Sequence, residues 1–169
     1  QYTSPPPQVL IPDHQYTATI RTAKGDIVIK LYPDLAPINV NSFVFLAREG
    51  WYDGVTFHLV DPEFVALAGD PTGTGVGGPG YWCDDEISSD LGFDEAGMVG
   101  IATIGPNTGS SQFFITLAPQ PELDGRYTVI GKVVKGMDVV QSLTPRKPSP
   151  ENPDPPPGDV IETILIEEQ

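Results

Sequence analysis

Gly105-Pro-Asn-Thr-Gly-Ser-Ser-Gln-Phe-Phe-Ile115 packs a turn signal, a run of small polar residues and two adjacent aromatics into eleven positions. Gly-Pro-Asn punctuates the chain as a turn. An ordinary strand needs no such order. If Phe113 and Phe114 share a strand they point to opposite faces, so one enters a core and the other leaves it for an outer groove. Outward from this stretch the pattern is mostly β. Tyr16, Ala18 and Ile20 alternate with polar residues, Ala23-Lys-Gly-Asp26 makes a turn, and Ile27, Ile29 and Leu31 alternate again, which predicts a hairpin. Further strands are expected near 55–60, 64–69, 98–104, 112–117 and 127–134, and Val160-Ile-Glu-Thr-Ile-Leu-Ile166 reads as a last one.

A helix is predicted over Pro37 to Glu49, with Asp34 near its start, Pro37 in its first turn and Gly50 just past its end. Val40, Phe43, Val44 and Ala47 fall at helical spacing and would cover a barrel mouth. A short second helix is expected from Met137 to Leu143. Many short strands with two helices predict a closed antiparallel barrel capped at its ends.

The 169 residues fit one domain, long enough to bury roughly two thirds of its unfolded surface. Twenty-three acidic against nine basic residues give a net charge of −14. That balance argues against nucleic acid, whose phosphates need clustered Lys and Arg. No apolar run approaches the ~20 residues of a membrane-spanning helix, so no direct membrane insertion is expected. Cys83 is the only cysteine, which excludes an intrachain disulfide. Its acidic surroundings would raise the thiol pKa, so it reads as packed and inert.

The nineteen prolines cluster. Pro5, Pro6, Pro7 and Pro12 make residues 1–14 read as a Pro-rich spacer, since such segments favour extended geometry. Residues 15–169 then form the domain, with a second Pro-rich stretch at 145–158 interrupting it before the last strand. The spacer, together with a first residue that is Gln1 and not Met, favours an extracytoplasmic or tethered location.

Three motifs are set aside. Gly73-Thr-Gly75-Val-Gly77-Gly78 satisfies G-x-G-x-x-G, but Pro79-Gly80 follows where a dinucleotide site needs a helix. Asp84, Asp85, Glu86, Asp90, Asp94 and Glu95 lack the alternation of a calcium loop and read as a solvated acidic face. His14 and His58, with Cys83, have no zinc spacing. No metal and no cofactor is therefore expected.

The ordered blocks resemble the cyclophilin family of peptidyl-prolyl cis-trans isomerases over about Tyr16 to Ile166. They are the hairpin, Ala36-Pro37-Ile-Asn-Val-Asn-Ser-Phe43, Tyr52-Asp-Gly-Val-Thr-Phe-His58, Gly69-Asp70, Gly105 to Ile115, and Leu123-Asp-Gly125 followed by Val129-Ile-Gly-Lys-Val133. The resemblance implies a closed eight-stranded antiparallel barrel with two capping helices. It also implies an outer groove that binds X-Pro peptides or unfolded proteins.

Carried over by position, it assigns the proline pocket to Phe64, Phe114 and Leu123. Val65 stands where the family usually has methionine, and Tyr127 where many members have histidine. Gln112 matches a substrate-contacting glutamine. The Ala102-Thr103 backbone would pair with the peptide, and Thr74, Gly75 and Ser111 would border the neighbouring subsite.

Three positions depart from the family pattern. Leu59 replaces the catalytic arginine, Leu67 replaces the glutamine that holds that arginine, and Glu122 stands where a ring is frequent. The changes at 59 and 67 are consistent with each other and imply a groove turned apolar. Two readings follow: an isomerase of reduced activity, and a non-catalytic module that binds proline peptides or mediates assembly.

Overall fold

A computed structural model describes all 169 residues. Eight antiparallel strands run in chain order with two helices: β1 (Tyr16–Thr22), β2 (Gly25–Leu31), α1 (Pro37–Arg48), β3 (Leu59–Val60), β4 (Val65–Ala68), β5 (Met98–Ile101), β6 (Phe113–Thr116), β7 (Val129–Lys135), α2 (Met137–Ser142) and β8 (Ile161–Glu168). No helix is long and apolar enough to cross a membrane.

Hydrogen-bonded neighbours follow the order β3-β4-β6-β5-β7-β2-β1-β8, so the sheet curls with β3 and β8 at its ends. No continuous ladder joins those ends, and the expected barrel is therefore less than fully closed. Residues 54–57 stitch the seam instead. Gly54 N–H donates to Ile161 O, Phe57 N–H donates to Asp159 O, and Ile161 N–H donates to Val55 O. This explains why the strand expected over 55–60 survives only at Leu59–Val60: its first half serves the seam.

The β1–β2 hairpin has the register expected from its alternation, with Thr22 opposite Gly25. Ala18, Ile20, Ile27 and Ile29 are fully buried in the interior. Val40, Phe43, Val44 and Ala47 of α1 join them and close one mouth. Asp34 does not cap α1, and no side chain of the preceding residues does. The cap comes from far away, because Glu86 accepts from the N–H groups of Ile38 and Asn39 at 3.0 and 2.8 Å. Part of the acidic run is thus a helix cap, placed where the helix dipole favours a carboxylate.

The N-terminal residues lie against the domain. Val9 and Leu10 donate to Asn41 Oδ1, whose Nδ2 donates back to Pro7 O. Leu10 is buried, and Tyr2 packs edge-on to Phe45 at 5.3 Å. In the 145–158 stretch, Arg146 and Val60 exchange backbone hydrogen bonds, so this stretch covers the outer edge of β3. An uncovered edge would expose a row of unpaired amides.

Candidate active site on the outer face of the sheet

The two aromatics of the opening stretch divide as strand geometry requires. Phe113 points inward and is surrounded by the rings of Phe43, Tyr52 and Phe57. Phe114 points outward into a second, smaller apolar cluster with Val65, Phe93, Met98, Leu123 and Val129. Gly100 lies opposite Phe114 on β5, and a Cβ there would overlap the rings of Phe114 and Phe93. The outer ring can lie close to the sheet only because that residue is glycine.

Above this cluster is a shallow pocket of about 150 Å³. Phe64, Val65 and Leu67 line it together with Phe114, Leu123 and Tyr127 and with Ala102 and Thr103. Tyr127 meets Phe114 edge-to-face at 5.7 Å. Phe64 is held at the rim by a turn in which its N–H donates to Asp61 O and its carbonyl accepts from Leu117. β5 stops at Ile101, three residues short of expectation, because the chain turns to bond Ile104 N–H to Thr108 Oγ1. That departure leaves the backbone N–H and C=O of Thr103, a residue that lines the pocket, without a partner inside the chain.

Leu59 and Leu67 are cross-strand partners on β3 and β4, and both pack half-buried against the outer cluster. No Lys or Arg lines the pocket or the cleft beside it. Arg48 is engaged elsewhere, paired with Glu168 at 3.3 Å. Arg146 donates to His58 O at 2.7 Å and to Pro156 O at 2.9 Å. Its guanidinium therefore serves backbone carbonyls at the root of β3.

Some assigned residues lie elsewhere than the pocket wall. Ser111 is fully buried, with its hydroxyl donating to Gly69 O and its carbonyl accepting from Tyr52 Oη. Glu122 is exposed on the 3₁₀ turn Pro121–Leu123 and is not part of the pocket lining. Thr74 is exposed and bonds to Thr72 and Asp70. Gln112 does line the adjoining cleft, yet its Nε2 donates to both Gly75 O and Gly77 O, at 3.0 and 3.1 Å. An amide nitrogen has two hydrogens, so only the carbonyl oxygen of Gln112 is left to face the cleft.

Asp70, fully buried, organises this glycine loop. It accepts from the N–H groups of Thr72, Gly75 and Gly77 and from the Thr72 hydroxyl. Burial alone would push its carboxyl up, but the donors from Gly77, Thr72 and Gly75 outweigh that and hold it at about 2. A Cβ on Gly77 would overlap the Asp70 carboxylate, so this glycine is needed for close approach and not for a dinucleotide. His58 is buried beside the loop with neither ring nitrogen hydrogen-bonded, and burial lowers its pKa below the ordinary histidine value.

Sequence reasoning missed Phe93, which stacks on Phe114 at 5.3 Å from within the acidic segment. The Leu123-Asp-Gly block held the available signal. Asp124 accepts from Phe93 N–H at 2.5 Å and draws that segment over the sheet.

Residues 17–164 match the family model described as cyclophilin type peptidyl-prolyl cis-trans isomerase/CLD. The chain is 52% identical over 127 residues to peptidyl-prolyl cis-trans isomerase ppi1 of Schizosaccharomyces pombe, covering 73% of this chain and 82% of that protein. It is 44% identical over 128 residues to peptidyl-prolyl cis-trans isomerase CYP18-2 of Arabidopsis thaliana, covering 74% and 78% of the two. Among solved structures it is similar to a cyclophilin type peptidyl-prolyl cis-trans isomerase of Cryptosporidium parvum, with a TM-score of 0.81, 33% identity, and coverage of 90% of this chain and 98% of that one. A second structure of the same Cryptosporidium protein, determined in the presence of the dipeptide Ala-Pro, aligns with a TM-score of 0.80 and 33% identity over 89% of this chain and 98% of that one.

Proposed function

The chain belongs to the cyclophilin family and is by family a peptidyl-prolyl cis-trans isomerase, and on that premise we propose that it turns X-Pro bonds slowly, through an apolar groove that lacks a guanidinium. The observation that carries this reading is the Leu59–Leu67 pair beside a proline-sized pocket with no cation in its lining. Phe64, Phe114 and Leu123 receive the prolyl ring, with Val65 and Tyr127 at its sides. Thr103 offers its backbone N–H and C=O to the flanking residue, and Ala102, whose N–H donates to Gln112 O, offers its carbonyl alone. The occupant belongs to the same class as the Ala-Pro dipeptide used with the Cryptosporidium relative.

Rotation about the prolyl bond faces a barrier of ~18–20 kcal/mol because the C–N bond is partly double. Catalysis requires binding the twisted amide better than either planar form. The planar amide carries charge separation that water solvates and an apolar wall does not, so a dry pocket disfavours the ground state relative to the twisted one. Twisting also localises a lone pair on the prolyl nitrogen, and a guanidinium could donate to it. Such a charge-assisted bond contributes about 1.5–3 kcal/mol. At about 1.4 kcal/mol per tenfold in rate, its absence at position 59 lowers turnover by roughly tenfold to a hundredfold.

The test is NMR exchange on a short Ala-Pro peptide with the protein at a small fraction of the peptide concentration. Wild type is expected to accelerate cis/trans exchange measurably, and Leu59→Arg to accelerate it further. Peptide shifts without any acceleration by wild type would overturn the isomerase reading in favour of a proline-peptide binding module.

A further inference from the structure

Two carbonyl oxygens of the glycine loop converge on one side-chain nitrogen. Gln112 Nε2 donates to Gly75 O at 3.0 Å and to Gly77 O at 3.1 Å. Both partners can only accept, so the amide cannot be turned over: Oε1 in that place would meet two carbonyl oxygens. Gln112 therefore lines the cleft beside the pocket with one free acceptor and no free donor.

The convergence originates in Asp70, which itself lines neither the cleft nor the pocket. A single oxygen of its carboxylate, Oδ2, accepts from the N–H groups of Gly75 and Gly77 at 2.7 and 3.0 Å, while Oδ1 accepts from Thr72 N–H at 2.8 Å. Fixing Gly75 and Gly77 to one atom fixes the backbone whose carbonyls hold Gln112. Val76 between them is left 89% exposed. The start of the loop is tied to the same strand entry. Gly69 O accepts from Ser111 Oγ at 2.7 Å and from Trp51 Nε1 at 3.2 Å, and a Cβ on Gly69 would overlap the backbone of Ser111 and Gln112.

We propose that Asp70 is a positioning residue for the substrate: it fixes the Gln112 amide as an acceptor, which makes the groove select a peptide backbone N–H beside the X-Pro bond. The assignment rests on the reading of the neighbouring pocket as the proline site. Leu67, Ala102 and Thr103 line both pocket and cleft, so a peptide seated in the first reaches the second, which Gln112 lines. Proline has no N–H of its own, and its neighbours in the peptide supply the donor. An ester oxygen in place of that N–H would set two acceptors against each other. Asparagine at position 70 would put a donor nitrogen where one carboxylate oxygen stands. It could not accept from Thr72, Gly75 and Gly77 together, and the loop would release the amide it holds.

The test uses two NMR readouts on the full chain. In the free protein, the Nε2 hydrogens of Gln112 are expected to exchange with water about tenfold more slowly than those of the exposed Gln141. Asp70→Asn removes the acceptor, and Gly77→Ala places a Cβ against it. Each is expected to abolish that protection while keeping a dispersed spectrum, and either variant that folds decides the point. In titrations with short Ala-Pro peptides, an ester replacing one backbone N–H beside the X-Pro bond is expected to weaken Kd by about three- to tenfold in wild type. The penalty is expected to vanish in Asp70→Asn, Gly77→Ala and Gln112→Ala. Unprotected Gln112 hydrogens in wild type, no ester penalty in wild type, or a penalty kept in the loop variants would overturn the proposal. A penalty kept in Gln112→Ala would do so too, because its source would then be the Thr103 carbonyl. Neither readout needs turnover, so an intact ester penalty without accelerated exchange sinks only the isomerase reading. Acceleration without an ester penalty sinks only the assignment to Asp70 and Gln112.

Discussion

Leu59 on β3 lies directly across the antiparallel ladder from Leu67 on β4, and the next ladder sets Leu67 opposite Phe114. Cross-strand partners have Cβ atoms about 4.5–5.5 Å apart, so a donor at 59 and an acceptor at 67 would meet each other directly. The two departures from the family pattern are therefore one local event. Restoring a single partner leaves a polar group against leucine, and restoring both supplies its hydrogen bond.

Leu59→Arg alone is accordingly expected to raise the exchange rate of an Ala-Pro peptide by about tenfold. Leu59→Arg with Leu67→Gln is expected to exceed the product of the two single effects, because Gln orients the guanidinium. Strict additivity in a four-member NMR exchange series would show that the pair does not couple.

Asp70 sets the acid limb of stability. Its folded pKa of about 2 lies below the ordinary 3.8, so its stabilisation is full above about pH 4 and is lost as pH falls toward 2. The shift corresponds to about 2 kcal/mol. Asp70→Asn should lower the unfolding free energy at pH 7 and flatten its dependence between about pH 4 and 2. Urea denaturation at several pH values reads both quantities, and an unchanged acid slope would remove Asp70 from this role.

Glu86 caps α1 across a sequence distance that no local motif covers. Glu86→Ala is expected to lower stability by about 1–2 kcal/mol, and Glu86→Gln by less because the amide keeps one acceptor. Thermal unfolding should drop by about 2–8 °C for the alanine variant. Equal losses for the two variants would contradict capping by hydrogen bonds.

Cys83 is buried, and burial, followed by the nearby Glu86 and Asp84 carboxylates, raises its thiol pKa. A neutral buried thiol is a poor nucleophile. Labelling of native protein with Ellman's reagent is expected to be on the order of a hundredfold slower than in urea. Rapid native labelling would mean that the Tyr81–Cys83 segment opens readily.

Much of the fold was legible because strand and hairpin preferences are local. Alternation located β1, β2 and the faces of Phe113 and Phe114, and helical spacing with Pro37 located α1. The pocket-forming residues were named by the resemblance to the cyclophilin family and not by periodicity, and the fold brings Phe64, Phe114, Leu123 and Tyr127 to one pocket. The limits were just as physical. Ser111 sits between groove-facing neighbours in sequence but turns inward, because a buried Gly69 carbonyl requires its hydroxyl. Gln112 spends its donors on Gly75 and Gly77, a choice made by a loop more than thirty positions away.

By itself, then, the sequence determined which segments alternate, where the chain turns, and that position 59 carries no guanidinium. Tertiary structure alone decided that Leu59 and Leu67 are directly opposed on one ladder, that Glu86 caps a helix it does not precede, and that the Pro-rich N-terminal segment is tied to Asn41 of α1. Periodicity and turn propensity act over a few residues, whereas buried donors and acceptors must be paired wherever the fold brings them together.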